Sequence, residues 1–278
     1  MDMNLVVQGP SLQQKDAEQL ATMVKPAGIQ PITRHAFRLT QAKKDETVAA
    51  WCEARMIDYA WMPEGCRFAE LKLVAMDMDS TLITIECIDE LGDMAGKKAE
   101  IAAITAQAMR GELDYPASLR RRVTAIAGLP EASLVRVYEE RLRLTQGAEV
   151  LLETCQKHGV KLLLVSGGFT FFTDRLKSRL GIDYTISNVL EVRDGKLTGK
   201  VLGDIVDADA KAAKFRAVAK ELGAKKEHTV AIGDGANDLK MMAEAGLSVA
   251  FRAKPVVRAQ ADCALTYSGL DGVVNLLE

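Results

Sequence analysis

Apolar positions in the first 70 residues fall into short runs whose period keeps changing. "NLVVQG" is a compact apolar strand, "SLQQKDAEQLATMV" opens on a Ser in N-cap position and repeats apolar residues at helical spacing, and "ITRHAFRLT" alternates as a half-buried strand does. "KDETVAAWCEARM" returns to helical spacing and "DYAWM" closes the set as a strand. Together they predict a small βαβαβ module over residues 1–70, joined to the rest through "PEGCRFAELK".

From Lys72 onward the rhythm is strand alternating with helix, which predicts a parallel sheet with right-handed crossovers. The strands are "LKLVAM", "KLLLVS", "HTVAIG" and "LSVAF", with a short "CALT" near the end. The interval after the first strand is too long for one crossover. Four helical patterns fill it ("CIDELGDMAG", "KAEIAAITAQAMRG", "PASLRRRVTAIAG", "PEASLVRVYEERLRL"), so residues 83–144 are expected to form a helical cap, with "GAEVLLETCQKHG" returning to the sheet. Asp194-Gly195 in "LEVRDGKLTGKV" marks a hairpin. The fold class expected is α/β: a Rossmann-like parallel sheet over residues 71–278 with an inserted helical cap, plus the small N-terminal α/β module.

Composition adds mainly exclusions. The 278 residues carry a formal net charge of −2, too little to draw the chain to nucleic acid or an anionic membrane surface. No segment approaches the roughly 18 apolar residues of a membrane span, and the N-terminus has no basic region before an apolar stretch, so a cytoplasmic protein is expected. The five cysteines are odd in number, scattered and without a CxxC pair, and read as reduced thiols. His35, His158 and His228 stand apart from every motif. Trp51, Trp61 and the Phe169 to Phe172 run read as packing residues.

Three predicted strands end in chemistry: "DMDST" at 77–81, "SGG" at 166–168 and "GDGAND" at 233–238. In open α/β sheets the ligand crevice lies at the carboxyl ends of the strands, so the three clusters define one place. Hydroxyls and glycine amides suit a phosphate, while the acids would repel it unless a hard dication such as Mg²⁺ lies between, with Asp77 and Asp234 as its natural ligands. No Gly-Lys-Ser/Thr sequence of the P-loop type is present.

This set resembles the haloacid dehalogenase-like phosphatases, the phosphoserine phosphatases among them. "DMDST", "ECIDEL", "SLRRRV", "SGGF", "DGKLTG" and "GDGANDLKM" occur in that family's order, and the resemblance spans residues 71–278. It implies that Asp77 is a nucleophile forming an aspartyl phosphate, and that Asp79 is the general acid and base, its backbone carbonyl also binding Mg²⁺. Ser166 and the Gly167 amide would hold phosphate oxygens and Lys211 would offset their charge. Asp234 would complete the metal site, Asn237 would contact phosphate and Asp238 would support the metal ligands. On the cap, Glu86 would receive an ammonium, Arg122 a carboxylate, and Met109 and Tyr115 would line the pocket.

The reaction so implied is hydrolysis of O-phospho-L-serine to serine and phosphate, the last step of serine biosynthesis. Two alternatives remain open at this point: action on another small phosphomonoester, including transfer to an alcohol, and an amino-acid sensor on an inactive phosphatase fold. Residues 1–70 carry no ligand motif, and a regulatory or dimerisation role, giving a homodimer, is the expectation for them.

Overall fold

The computed structural model describes residues 3–278. Its first part contains β1 (Met3–Gln8), the helix Gln14–Val24, β2 (Gly28–Thr33), β3 (Ala36–Thr40), the helix Thr47–Glu53 and β4 (Asp58–Pro63). The order is therefore βαββαβ, not βαβαβ, and the strands form an antiparallel sheet in the order β2-β3-β1-β4, a ferredoxin-like arrangement. The run "ITRHAFRLT" breaks at Arg34 and His35, because the chain turns there into a hairpin that carries no Gly or Asn signal. Ser11 is not the helix cap either. A tight turn from Gly9 to Leu12 takes it up, and Gln13 begins the helix with its amide held by the Asp16 carboxylate at 2.9 Å.

The two faces of this sheet bury different things, as strand alternation requires. Leu5, Val7 and Leu39 face the two helices, while Val6, Ala60 and Met62 join the apolar core of the larger body. A polar seam runs along the same junction. Asp58 accepts the amides of Thr266, Tyr267 and Ser268 at 2.7, 3.0 and 2.7 Å, and Arg38 donates to the carbonyls of Leu277 and Asn275 at the end of the last helix, Gly272–Leu276.

The body holds β5 (Leu73–Met76), β6 (Lys161–Phe169), β7 (Tyr184–Arg193), β8 (Lys196–Leu202), β9 (Thr229–Gly233), β10 (Leu247–Phe251) and β11 (Cys263–Leu265). They make a seven-stranded sheet in the order β11-β10-β9-β5-β6-β7-β8, parallel except for β8. The central strand "LVAM" is buried at every position, as a strand covered on both faces must be. Met76 pairs with Leu164 on one side and Ile232 on the other, so Asp77, Ser166 and Asp234 emerge side by side at the carboxyl end of the sheet.

Between β5 and β6 lie the helices Cys87–Met94, Lys98–Met109, Tyr115–Ala125 and Ala132–Arg136, the last running on through one wide turn to Arg141. The two ends of this insertion meet in an antiparallel bridge from Ile83 to Leu144, flanked by Thr84 N to Arg143 O and Thr145 N to Leu82 O, each 3.0 Å. The helix Ala148–Lys157 then returns the chain to the sheet. Among the described residues, no helix is long and apolar enough to cross a membrane.

Candidate active site

The chain leaves β5 at Asp77 and doubles back within five residues. Ser80 takes a left-handed backbone (φ 56°), a conformation costly for a non-glycine residue and retained where the surroundings over-determine it. The bend sets Asp77 and Asp79 beside one another at the floor of a cavity of about 780 Å³. The Ser80 hydroxyl, donating to Glu86 at 2.7 Å, ties the bend to the first helix of the insertion.

Asp77 is 5% exposed and fully engaged. One oxygen accepts the Met78 amide at 2.7 Å and the other lies 2.9 Å from the Lys211 ammonium. Lys211 comes from the helix Ala208–Glu221, is fully buried, and also donates to Asp238 at 2.8 Å. Burial pulls the Lys211 ammonium down, but the charges of Asp238 and Asp77 outweigh this and hold it protonated. Burial pushes the Asp77 carboxyl well above its ordinary range; Asp238 adds to this and Lys211 opposes it.

Asp79 accepts the Cys87 amide at 3.2 Å. Burial, with the charge of Glu86 next, pushes its carboxyl up to about 7, so that it can hold or release a proton near neutrality. Asp234 is pushed up to about 6, first by burial and then by Asp238. Carboxylate oxygens of Asp77, Asp234 and Asp238 lie within 4.8 Å of one another. Asp238, however, gives one oxygen to Lys211 and the other to the Gly235 amide at 3.1 Å. Asp77 and Asp234 line the cavity and Asp238 does not, so these two are the carboxylates that can meet a cation there, and two acids raised by burial and by the charge of Asp238 fit a hard dication.

The phosphate-type donors stand on the next strand. β6 does not stop at Ser166 but runs on to Phe169, its register with β7 slipping between Val165 and Phe169. Ser166 is fully buried and accepts the Gly168 amide at 2.8 Å. A Cβ on Gly167 would come within 2.1 Å of the Tyr115 hydroxyl, and one on Gly168 within 2.8 Å of Asp79, so the cavity requires glycine at both.

The remaining sequence-predicted residues also converge. Glu86, Arg122 and Asn237 line the cavity together with Tyr115, whose hydroxyl donates to the Gly167 carbonyl at 3.2 Å. Met109 lines it from the rim and is 68% exposed. The three histidines lie elsewhere.

Other contributors escape sequence reasoning. Asn188 of β7, 1% exposed, donates to the Gly167 carbonyl at 2.8 Å and accepts the Val206 amide at 2.9 Å, joining the "SGG" end of β6 to the segment that leads to Lys211. Nothing in "ISNVLE" signals this, because the contact depends on the slip in β6. Thr105 and Ser118 of the insertion also face the cavity. The helical spacing of Ser118 to Arg122 was the available signal for the latter.

The haloacid dehalogenase-like hydrolase model matches residues 74–243, and a second model, a domain of unknown function (DUF4072), matches residues 5–49. A phosphoserine phosphatase of Polaromonas sp. is 54% identical over 217 residues, covering 76% of this chain and 92% of that one. The unliganded crystal structure of a probable phosphoserine phosphatase from Vibrio cholerae superposes with a TM-score of 0.87 at 39% identity, over 99% of this chain and 86% of that one. A phospho-aspartyl intermediate analogue of a phosphoserine phosphatase matches at TM-score 0.70 and 39% identity, over 75% of this chain and 99% of that one. The chain belongs to the haloacid dehalogenase-like hydrolase family, in the company of its phosphoserine phosphatases.

Proposed function

We propose that the protein is a Mg²⁺-dependent phosphoserine phosphatase, hydrolysing O-phospho-L-serine to L-serine and phosphate as the closing step of serine biosynthesis in the cytoplasm. The observation that carries this reading is the fixed Asp77 carboxylate, 2.9 Å from a buried Lys211, with a second carboxyl, Asp79, poised near neutrality beside it.

Asp77 attacks phosphorus, the bond from phosphorus to the serine oxygen breaks, and Asp79 gives its proton to that oxygen. Asp79 then takes a proton from the water that attacks the aspartyl phosphate, and Asp77 is released as a carboxylate. Ser166, the Gly167 amide and Asn237 hold phosphate oxygens while Lys211 offsets the charge spreading over them. Mg²⁺, held by Asp77, Asp234 and the backbone carbonyl of Asp79, would shield the nucleophile from the phosphate it must approach. Asp238 keeps Lys211 and the Gly235 amide in place.

Glu86 receives the substrate ammonium, Arg122 its carboxylate, and Met109 and Tyr115 close the walls. For residues 1–70 we propose a regulatory or dimerisation role; sedimentation of the full chain with and without L-serine tests it, and one unchanged monomeric species removes it.

The activity is tested by phosphate release from both phosphoserine enantiomers, phosphothreonine, homoserine phosphate and a sugar phosphate, each with Mg²⁺ and with chelator. Metal-dependent turnover selective for phospho-L-serine supports the reading. Preference for another ester leaves the phosphate chemistry and overturns the substrate, and no turnover on any ester favours a sensor.

A further inference from the structure

Six buried side-chain polar atoms find no partner among the described residues, and three of them, Thr105 Oγ1, Ser118 Oγ and Arg122 Nε, belong to residues lining the cavity above Asp77. Such atoms are rare in folded proteins and call for a partner that arrives from outside. Their clustering here, on two neighbouring helices, is the point. Thr105 lies on Lys98–Met109, and Ser118 and Arg122 lie one turn apart on one face of Tyr115–Ala125. Ser118 is 1% exposed, so bulk solvent does not serve its hydroxyl. Arg122 forms no ion pair with any described carboxylate.

We propose that Thr105 and Ser118 are specificity-determining residues, their hydroxyls joining the Arg122 guanidinium in a three-donor receptacle for the carboxylate of the substrate. The chemistry selects that group. A carboxylate only accepts hydrogen bonds and offers about four lone-pair sites, enough for a guanidinium and two hydroxyls, whereas an ammonium only donates and would face the Arg122 charge. The inference rests on the reading of the site as a phosphoserine phosphatase and deepens it: Arg122 supplies charge, and the two hydroxyls fix where the carboxylate sits. A substrate lacking the carboxylate leaves all three donors without their acceptor, which is a strong form of rejection.

The test compares wild type with Thr105→Val and Ser118→Ala on phospho-L-serine, with O-phosphoethanolamine as substrate or competitive inhibitor. The latter keeps the phosphate and ammonium and lacks the carboxylate. Each variant is expected to raise KM for phospho-L-serine about tenfold with kcat held within about twofold, the mark of a lost ground-state contact to a charged group. The constant for phosphoethanolamine should not move. Because neither hydroxyl has a partner among the described residues, both variants should melt at or above the wild-type temperature, and Thr105→Ser should restore KM. An unchanged KM for phospho-L-serine, or equal losses with both compounds, overturns the assignment of the two hydroxyls while leaving the phosphatase reading intact. Wild-type enzyme that hydrolyses other phosphomonoesters but not phospho-L-serine removes the parent reading itself.

Discussion

The hydroxyl of Tyr115, on the helical insertion, donates at 3.2 Å to the carbonyl oxygen of Gly167, near the end of β6 where a phosphate would be cradled. Burial pushes this phenol up to about 12, so it remains a donor throughout the working pH range. The bond lies in the wall of the cavity and ties the insertion to the sheet. Tyr115→Phe should therefore loosen the insertion by about 1 kcal/mol, the worth of one hydrogen bond. Faster hydrogen exchange over residues 83–144, with exchange in β5 unchanged, is the expected result.

Asn188 holds the same carbonyl from the other side. Asn188→Ala leaves the buried Val206 amide unpaired and the Gly167 carbonyl with Tyr115 alone, which should cost about 1–3 kcal/mol in a urea titration. The end of β6 that it releases carries Ser166 and Gly167, so kcat should fall by about tenfold or more, since small misplacements of positioning groups cost rate steeply. Stability and kcat that both stay at wild-type values would show that the clamp is idle.

Lys211 is fully buried between two carboxylates. Lys211→Met removes their shared counter-charge and should destabilise the protein by about 3–5 kcal/mol as well as abolish phosphate release. Lys211→Arg should not rescue activity, because a planar guanidinium cannot occupy a pocket shaped around a single ammonium. Thermal melting and a phosphate assay on the two variants decide this.

The pH dependence of metal binding has a definite sign. In the folded, metal-free protein Asp234 is pushed up to about 6 and Asp77 is also raised, whereas unfolding returns both to the ordinary carboxylate range near 4. The folded state thus holds more protons across that window, and these groups make the metal-free protein less stable as pH rises from about 4 to 6. Mg²⁺ competes with the same protons. Melting curves with Mg²⁺ and with chelator should show a larger metal-induced rise at pH 7.5 than at pH 5; a larger rise at pH 5 would contradict the ligand assignment.

Asp58 accepts three consecutive backbone amides across the junction with the N-terminal module. Asp58→Ala strands those donors and should cost about 3 kcal/mol, read as a lower melting temperature of the whole chain in one transition. Two separate transitions would mean that the module and the body unfold independently.

Much of this is legible in the sequence alone. Continuous apolar strands such as "LVAM" ending abruptly in acids, hydroxyls and glycines announce both a parallel sheet and its ligand crevice, because burial and chemistry change at the same residue. What stayed hidden depends on geometry without a local signature. The turn at Arg34 and His35 lacks the glycine that usually marks a hairpin, so two strands read as one. Ser11 looks like a helix cap until the turn from Gly9 takes it up. Asn188 acts only because β6 slips its register beyond Val165, and Thr105 is a plain helical threonine until a neighbouring helix sets Ser118 and Arg122 beside the same cavity.

The central claim is that a phosphoryl group rests covalently on Asp77. Its most direct test is to mix the enzyme with Mg²⁺ and phospho-L-serine, quench in acid within one turnover, and map the phosphorylated peptide by mass spectrometry, with Asp77→Asn alongside. The account predicts one acid-stable, hydroxylamine-sensitive phosphoryl group on the peptide bearing Asp77, absent with chelator and absent in the variant. A phosphoryl group on another residue, or an Asp77→Asn enzyme that still turns over phospho-L-serine, would contradict it.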